Sequence, residues 1–174
     1  LALSLGGANG SLATVPDSAS LDVTTAVTLA AWVRPGRATT TDLIAKDVNG
    51  SVNGYQLSLS DVTAAVSQKV FARFNQATSG DTFRVNSTGT YPTNGTWIHT
   101  AVTYNAISAG GDGVMRLYIN GVLNASVAGP VGGLVANATP LGIGGQASDG
   151  TRTLLGALDD VRIYNQALTA GQIA

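Results

Sequence analysis

The side chains able to do chemistry are few: ten aspartates, no glutamate, no cysteine and a single histidine in 174 residues. Two of the aspartates are adjacent, in the alternating run Leu158-Asp-Asp-Val-Arg-Ile-Tyr164. If this run is a strand, its period of two puts Asp159 on the face of Val161 and Ile163, and Asp160 on the face of Arg162. A carboxylate turned toward apolar neighbours is costly unless it meets a cation or several donors. Asp159 is therefore the candidate metal ligand of the pair. The alternative is that it caps backbone amides or pairs with an arginine.

Other chemistries find less support. A glycosidase needs two carboxylates flanking one bond, and adjacent strand residues point to opposite faces. His99 lies in Trp97-Ile-His-Thr-Ala101 with no local Ser or Asp motif to complete a nucleophilic triad, so it reads as a packed, hydrogen-bonded sheet residue. Gly-x-Ser-x-Gly, P-loop and dinucleotide fingerprints are absent. The chain is expected not to be an enzyme; hydrolysis by aspartates gathered from distant loops is the remaining enzymatic alternative.

Binding needs less machinery. A sugar site combines an exposed aromatic ring with a few convergent polar groups. Trp32, Trp97, Tyr104 and Tyr118 fall in strand-like runs and read as core, whereas Tyr55 and Tyr91 adjoin loops and are the candidate ligand rings. Among the loop acids Asp47, Asp81, Asp112 and Asp149, the first and last are the candidate ligand contacts. Each also has the Gly, Asn or Ser neighbours of an ordinary Asx-turn.

These residues need a frame. Without Glu, and with lysine only at Lys46 and Lys69, the chain lacks common helix formers, while β-branched residues alternate between clusters of Gly, Asn, Asp and Ser. About twelve short strands follow, which predicts two packed antiparallel sheets. In Val27-Thr-Leu-Ala-Ala-Trp-Val33 the residues Val27, Leu29, Ala31 and Val33 share one face, with Ala30 and Trp32 on the other. Asn120-Gly121 between two alternating runs predicts a type I′ hairpin. The one helical signal is Thr169-Ala-Gly-Gln172, spaced as a capping box and preceded by Leu168 as a hydrophobic staple.

A net charge of −1, with 11% charged residues, gives no basic surface for nucleic acid, and no apolar run is long enough to span a membrane. The chain opens without a charged leader and reads as one domain over residues 1–174, a mature chain or an excised module. The Gly, Ala, Thr and Asn bias suits an exported bacterial surface protein. Six Asn-x-Ser/Thr sequons, at Asn9, Asn49, Asn86, Asn94, Asn124 and Asn137, do not decide function.

The opening Leu3-Ser-Leu-Gly-Gly-Ala-Asn-Gly-Ser-Leu-Ala-Thr-Val15 and the closing Gly156-Ala-Leu-Asp-Asp-Val-Arg-Ile-Tyr164 resemble the terminal strands of laminin G-like domains, a branch of the concanavalin A-like jelly rolls. Leu29-Ala-Ala-Trp-Val-Arg-Pro35, Trp97-Ile-His-Thr-Ala-Val-Thr-Tyr104, Leu117-Tyr-Ile-Asn-Gly121 and Leu141-Gly-Ile-Gly-Gly145 continue the resemblance in order. It implies an all-β antiparallel sandwich of jelly-roll type. It also implies a structural calcium ion (Ca2+) between the terminal strands, with Asp159 as side-chain ligand and carbonyls from Gly6 to Gly10, here Gly7 and Asn9. Relatives often carry Asp where Gly6 and Gly10 stand, so calcium is expected to bind weakly.

The function expected on this basis is a non-catalytic extracellular or cell-surface recognition module whose partner is a carbohydrate or a cell-surface protein. The alternative is a self-associating structural subunit of a surface layer, stalk or filament.

Overall fold

The computed structural model describes residues 2–48, 50–75 and 83–174. Twelve strands form among the described residues, in line with the number expected. They are β1 (Leu3–Gly6), β2 (Ala13–Val15), β3 (Ala26–Pro35), β4 (Thr41–Val48), β5 (Val52–Leu59), β6 (Val70–Phe74), β7 (Arg84–Asn86), β8 (Ile98–Asn105), β9 (Val114–Ile119), β10 (Val122–Ala128), β11 (Leu141–Ile143) and β12 (Leu155–Tyr164). One short helix, α1 (Ala170–Ile173), follows. The first sheet runs β1-β12-β3-β8-β9-β10 and the second β2-β11-β4-β5-β6-β7, every pair antiparallel. The chain crosses between sheets after β1, β2, β3, β7, β10 and β11, which is the all-β jelly-roll sandwich the resemblance implies.

Alternation explains why the sheets pack. Val27, Leu29, Ala31 and Val33 of β3 face inward and are buried, as are Tyr55, Leu57 and Leu59 of β5 and Val70, Ala72 and Phe74 of β6. Phe74 and Tyr104 meet across the gap with ring centroids 5.5 Å apart. The hairpin turn is as expected: Asn120 and Gly121 carry φ of 50° and 79°, and Ile119 pairs with Val122 across the two-residue loop.

The helix also forms as its sequence dictates. Gln172 Oε1 accepts from the Thr169 backbone N–H at 2.9 Å, and Leu168 and Ile173 pack together over Ala30, Ala101 and Tyr118 on the outer face of the first sheet. Thr28 ties the approach down, its hydroxyl donating to the Gln166 carbonyl and accepting from the Leu168 N–H. No helix among the described residues is long and apolar enough to cross a membrane.

Among the charged groups built into the interior, Lys46 ties separate segments together. Lys46 on β4 is 1% exposed, with Nζ 2.8 Å from Asp17 and 3.1 Å from Asp22 and also donating to the Asn137 carbonyl. It pins the segment before β3 and the crossing segment before β11 to the second sheet.

Candidate functional site

The site begins with a break in alternation on β12. Asp159 pairs with Trp32 and Arg162 with Ala30, so β12 takes three steps where β3 takes two, and Asp160 and Val161 together oppose Ala31. Such a bulge re-aims side chains. Asp160 accommodates it with φ of 49°, a left-handed conformation that aspartate tolerates better than most residues. Leu158, Val161 and Ile163 thereby all turn to the core. Asp159 does not share their face, contrary to the unbroken period: it is exposed on the outer face beside Trp32.

Trp32 is the central correction to the sequence reading. It was expected in the core, yet it is 40% exposed on the outer face of the first sheet. Its register partner on β8 is His99, whose ring packs against it at 5.4 Å and 53°. Trp97, also expected in the core, is half-buried just before β8, with the Arg34 guanidinium 5.4 Å from its ring centroid. The sequence held a signal for this. The Ala30/Trp32 face of β3 also carries Thr28 and Arg34, and a strand face that ends in arginine is seldom sealed.

Small side chains deepen the surface next to Trp32. Ala30 makes a low floor, α1 rises on one side, and the Asn120-Gly121 turn and the β12 bulge close the rest. The result is an open cavity of about 350 Å³ lined by Trp32, His99, Asn120, Asp160, Arg162, Tyr164 and Gln172, among others. That volume is at the lower end of the range for small-ligand sites.

Its polar groups are partly committed. Arg162 Nε donates to Asp160 Oδ1 at 2.6 Å and Arg162 Nη1 to the Tyr164 hydroxyl at 3.1 Å, which together hold the guanidinium above its ordinary pKa. The Asn120 Oδ1 accepts from the His99 backbone N–H at 2.9 Å. Burial lowers the His99 pKa; Asp160 opposes this in part, and Arg162 adds a smaller lowering effect. The imidazole is therefore neutral at pH 7. Its ring makes no hydrogen bond among the described residues, so it packs as expected but without the expected polar partner.

The other candidate residues are scattered. Tyr55 and Tyr91 are not surface rings: each is 2% exposed, with hydroxyls donating to the Leu21 and Ser60 carbonyls. Tyr91 borders a second cavity of about 210 Å³ between the sheets. Asp47 is buried at 4% exposure on β4. Asp149 is a turn residue, its Oδ1 accepting from the N–H and hydroxyl of Thr151. Asp112 engages Arg116. The sequons at Asn94 and Asn137 form the same Asx-turns with Thr96 and Thr139. Asp81 and the sequon at Asn49 lie outside the described residues.

The residues proposed for calcium do not converge. Gly6 pairs with Leu155, and Asp159 stands four residues further along β12, which separates Gly7 from Asp159 by about 13 Å at 3.3 Å per residue. Calcium ligands lie within about 2.6 Å of the ion. Further, the Gly7 carbonyl already accepts from Arg37 Nη2 at 2.8 Å, and Asp159 Oδ1 accepts from the Asp160 N–H. Asn9 is on an exposed turn whose neighbour Gly10 bonds to Gly150, beside Asp149 rather than Asp159. Among the described residues no group of three or more His, Cys, Asp or Glu is placed to hold a metal. Asp159, Gly7 and Asn9 therefore do not fit a single calcium ion.

The outer face of the second sheet is polar but closed. Asp42, Gln56 and Ser58 are fully buried there, and Arg84 and Arg73 stack on Phe71 at 3.9 and 5.2 Å. Ser58 Oγ is 2.9 Å from both Asp42 Oδ1 and Gln56 Oε1, while Asp42 Oδ2 and Gln56 Nε2 find no hydrogen-bond partner among the described residues. Burial raises the Asp42 pKa, and Arg152, 3.8 Å away, opposes this only in part.

Solved structures share this architecture. The binding domain of Paraclostridial Mosquitocidal Protein 1 superposes with a TM-score of 0.73 at 20% identity, covering 97% of this chain and 41% of that one. Domain 4 of a GH43 extracellular arabinanase from Geobacillus stearothermophilus, in complex with arabinotriose, gives 0.64 at 24% identity, covering 95% and 72%. The CBM40 of the Ruminococcus gnavus IT-sialidase, bound to α2,3-sialyllactose, gives 0.70 at 11% identity, covering 99% and 93%. The chain thus spans less than half of the first of these and most of the other two. A search of curated proteins finds no match. The family model Laminin_G_3, of the concanavalin A-like lectin/glucanases superfamily, matches residues 6–174, and the chain belongs to that family.

Proposed function

We propose that this domain is a non-catalytic carbohydrate-recognition module of an extracellular or cell-surface protein, and that its ligand is seated on Trp32. The observation that carries this reading is a tryptophan held 40% exposed inside a cavity whose walls also include amide, carboxylate, guanidinium and phenol groups beside apolar ones. A flat apolar ring ringed by hydrogen-bonding groups matches a sugar, which has an apolar C–H face and a polar edge. The superposed carbohydrate complexes lend the same support, but they include both a neutral arabinan fragment and a sialylated one, so the sugar class must come from the pocket.

The test is a titration of the purified domain with a panel of oligosaccharides and polysaccharides, read by tryptophan fluorescence. Trp32 and Trp97 are the only tryptophans and both lie at this end of the first sheet. Saturable binding supports the reading; absence of binding to every sugar overturns it.

A second reading, self-association as a structural surface subunit, is favoured by the edge strand β10, where Val122, Leu123 and Val127 are exposed. Sedimentation velocity decides it: assembly that grows with concentration supports this reading, and a monomer at every concentration excludes it.

A further inference from the structure

We infer that the Trp32 pocket takes a neutral, hydroxyl-rich sugar and discriminates against sugars that carry a carboxylate. The inference rests on the carbohydrate reading of this pocket and adds the class of ligand.

It follows from the β12 bulge. In a regular strand Asp159 and Asp160 would point to opposite faces; the extra residue leaves both exposed on the outer face, where Asp160 lines the pocket and Asp159 stands beside it as the register partner of Trp32. The positive φ of Asp160 is a local conformational cost that the alternation of the strand alone does not require. Asp159 uses Oδ1 on the Asp160 N–H, and its Oδ2 has no partner among the described residues. Asp160 holds Arg162 through one oxygen. Carboxylate oxygens accept from sugar hydroxyls and repel a second carboxylate.

The cations in reach do not offset this. Arg162, the one cation lining the pocket, is already engaged by Asp160 and Tyr164. Arg34, like Asp159, does not line the pocket, but its guanidinium lies over Trp97, whereas Asp159 is the register partner of Trp32 itself. His99 is neutral at pH 7 because burial lowers its pKa. The remaining polar walls, Asn120 and Gln172, are uncharged amides suited to hydroxyls.

The experiment compares by calorimetry probes that differ by one carboxylate: α2,3-sialyllactose with its carboxyl methyl ester, and maltotriose with the same trisaccharide carrying a single terminal glucuronate. Only binding that Trp32→Leu weakens is scored. Neutral probes are expected to bind about tenfold more tightly than acidic ones, the effect of one like charge about 6 Å away at an effective dielectric near 40. Asp159→Asn and Asp160→Asn, singly and together, are expected to narrow the gap by raising affinity for the acidic probe. Asparagine tolerates the left-handed conformation at position 160, and Asp159→Asn alone serves if the other change perturbs folding. Equal or tighter Trp32-dependent binding of the acidic probes, or a gap unmoved by both substitutions, overturns the inference while leaving the carbohydrate reading intact. Failure of all probes and of the wider panel overturns both.

Discussion

Replacing Trp32 by leucine removes the flat ring while keeping an apolar side chain against His99 and the floor of the pocket. A tryptophan side chain offers up to about 250 Å². With 40% exposure, about 100 Å² is open to a ligand, worth about 2.5 kcal/mol at 25 cal/mol per Å². A single sugar ring covering half of that area recovers about 1.2 kcal/mol. Trp32→Leu is therefore expected to weaken binding about eightfold to seventyfold, measured by calorimetry with the tightest ligand of the panel. Trp97→Leu is the matched control: its ring face is occupied by Arg34, so affinity is expected to stay within about twofold. If Trp32→Leu binds as well as the native domain, or if Trp97→Leu is the more damaged variant, the placement of the ligand is refuted.

Lys46→Met keeps the chain length but removes the buried ammonium. Its Asp17 and Asp22 partners are about one third exposed, so each contact is worth about 1 kcal/mol rather than a fully buried value, and the Asn137 carbonyl loses a donor. The expected loss of about 2–3 kcal/mol lowers Tm by about 4–12 °C, and an unchanged Tm would contradict the role given to Lys46. Asp42 has a folded pKa raised above its unfolded value, chiefly by burial. Its contribution is thus fullest below about pH 3.8 and is lost as pH rises through the folded pKa. Asp42→Asn should therefore gain stability relative to the native domain between pH 4 and 7 in denaturant titrations, and a difference that does not change with pH would refute it. Calcium at one hundred times its Kd would add about 2.7 kcal/mol, or about 5–11 °C in Tm. Because Gly7, Asn9 and Asp159 do not converge, excess chelator is expected to leave Tm unchanged, and a fall of that size would show a calcium site elsewhere.

The fold was readable in the sequence because its signals are local and repeated. Two-residue alternation marked β3 and the strands flanking the hairpin, Asn120-Gly121 had the geometry of its turn, and Leu168 with Thr169 and Gln172 specified the helix start. The site was harder to read, for two physical reasons. Alternation cannot announce its own interruption: nothing in Leu158-Asp-Asp-Val-Arg marks the extra residue that swings Asp159 away from Val161. Burial of an aromatic depends on what covers its face, and the cover over Ala30 comes from Leu168 and Ile173, more than a hundred residues away. That short helix stops before Trp32 and leaves it open. Tyr55 and Tyr91 erred in the opposite direction, since a ring beside a loop turns inward when its hydroxyl finds a backbone carbonyl.

The central claim is tested most directly by mapping backbone and side-chain chemical shifts of the domain during titration with a neutral oligosaccharide that it binds. Perturbations concentrated on Trp32, His99, Asn120, Asp160 and Gln172 are the predicted result. Perturbations confined to the other face, at Gln56, Ser58 and Arg73, would contradict the assignment and move the ligand to the second sheet.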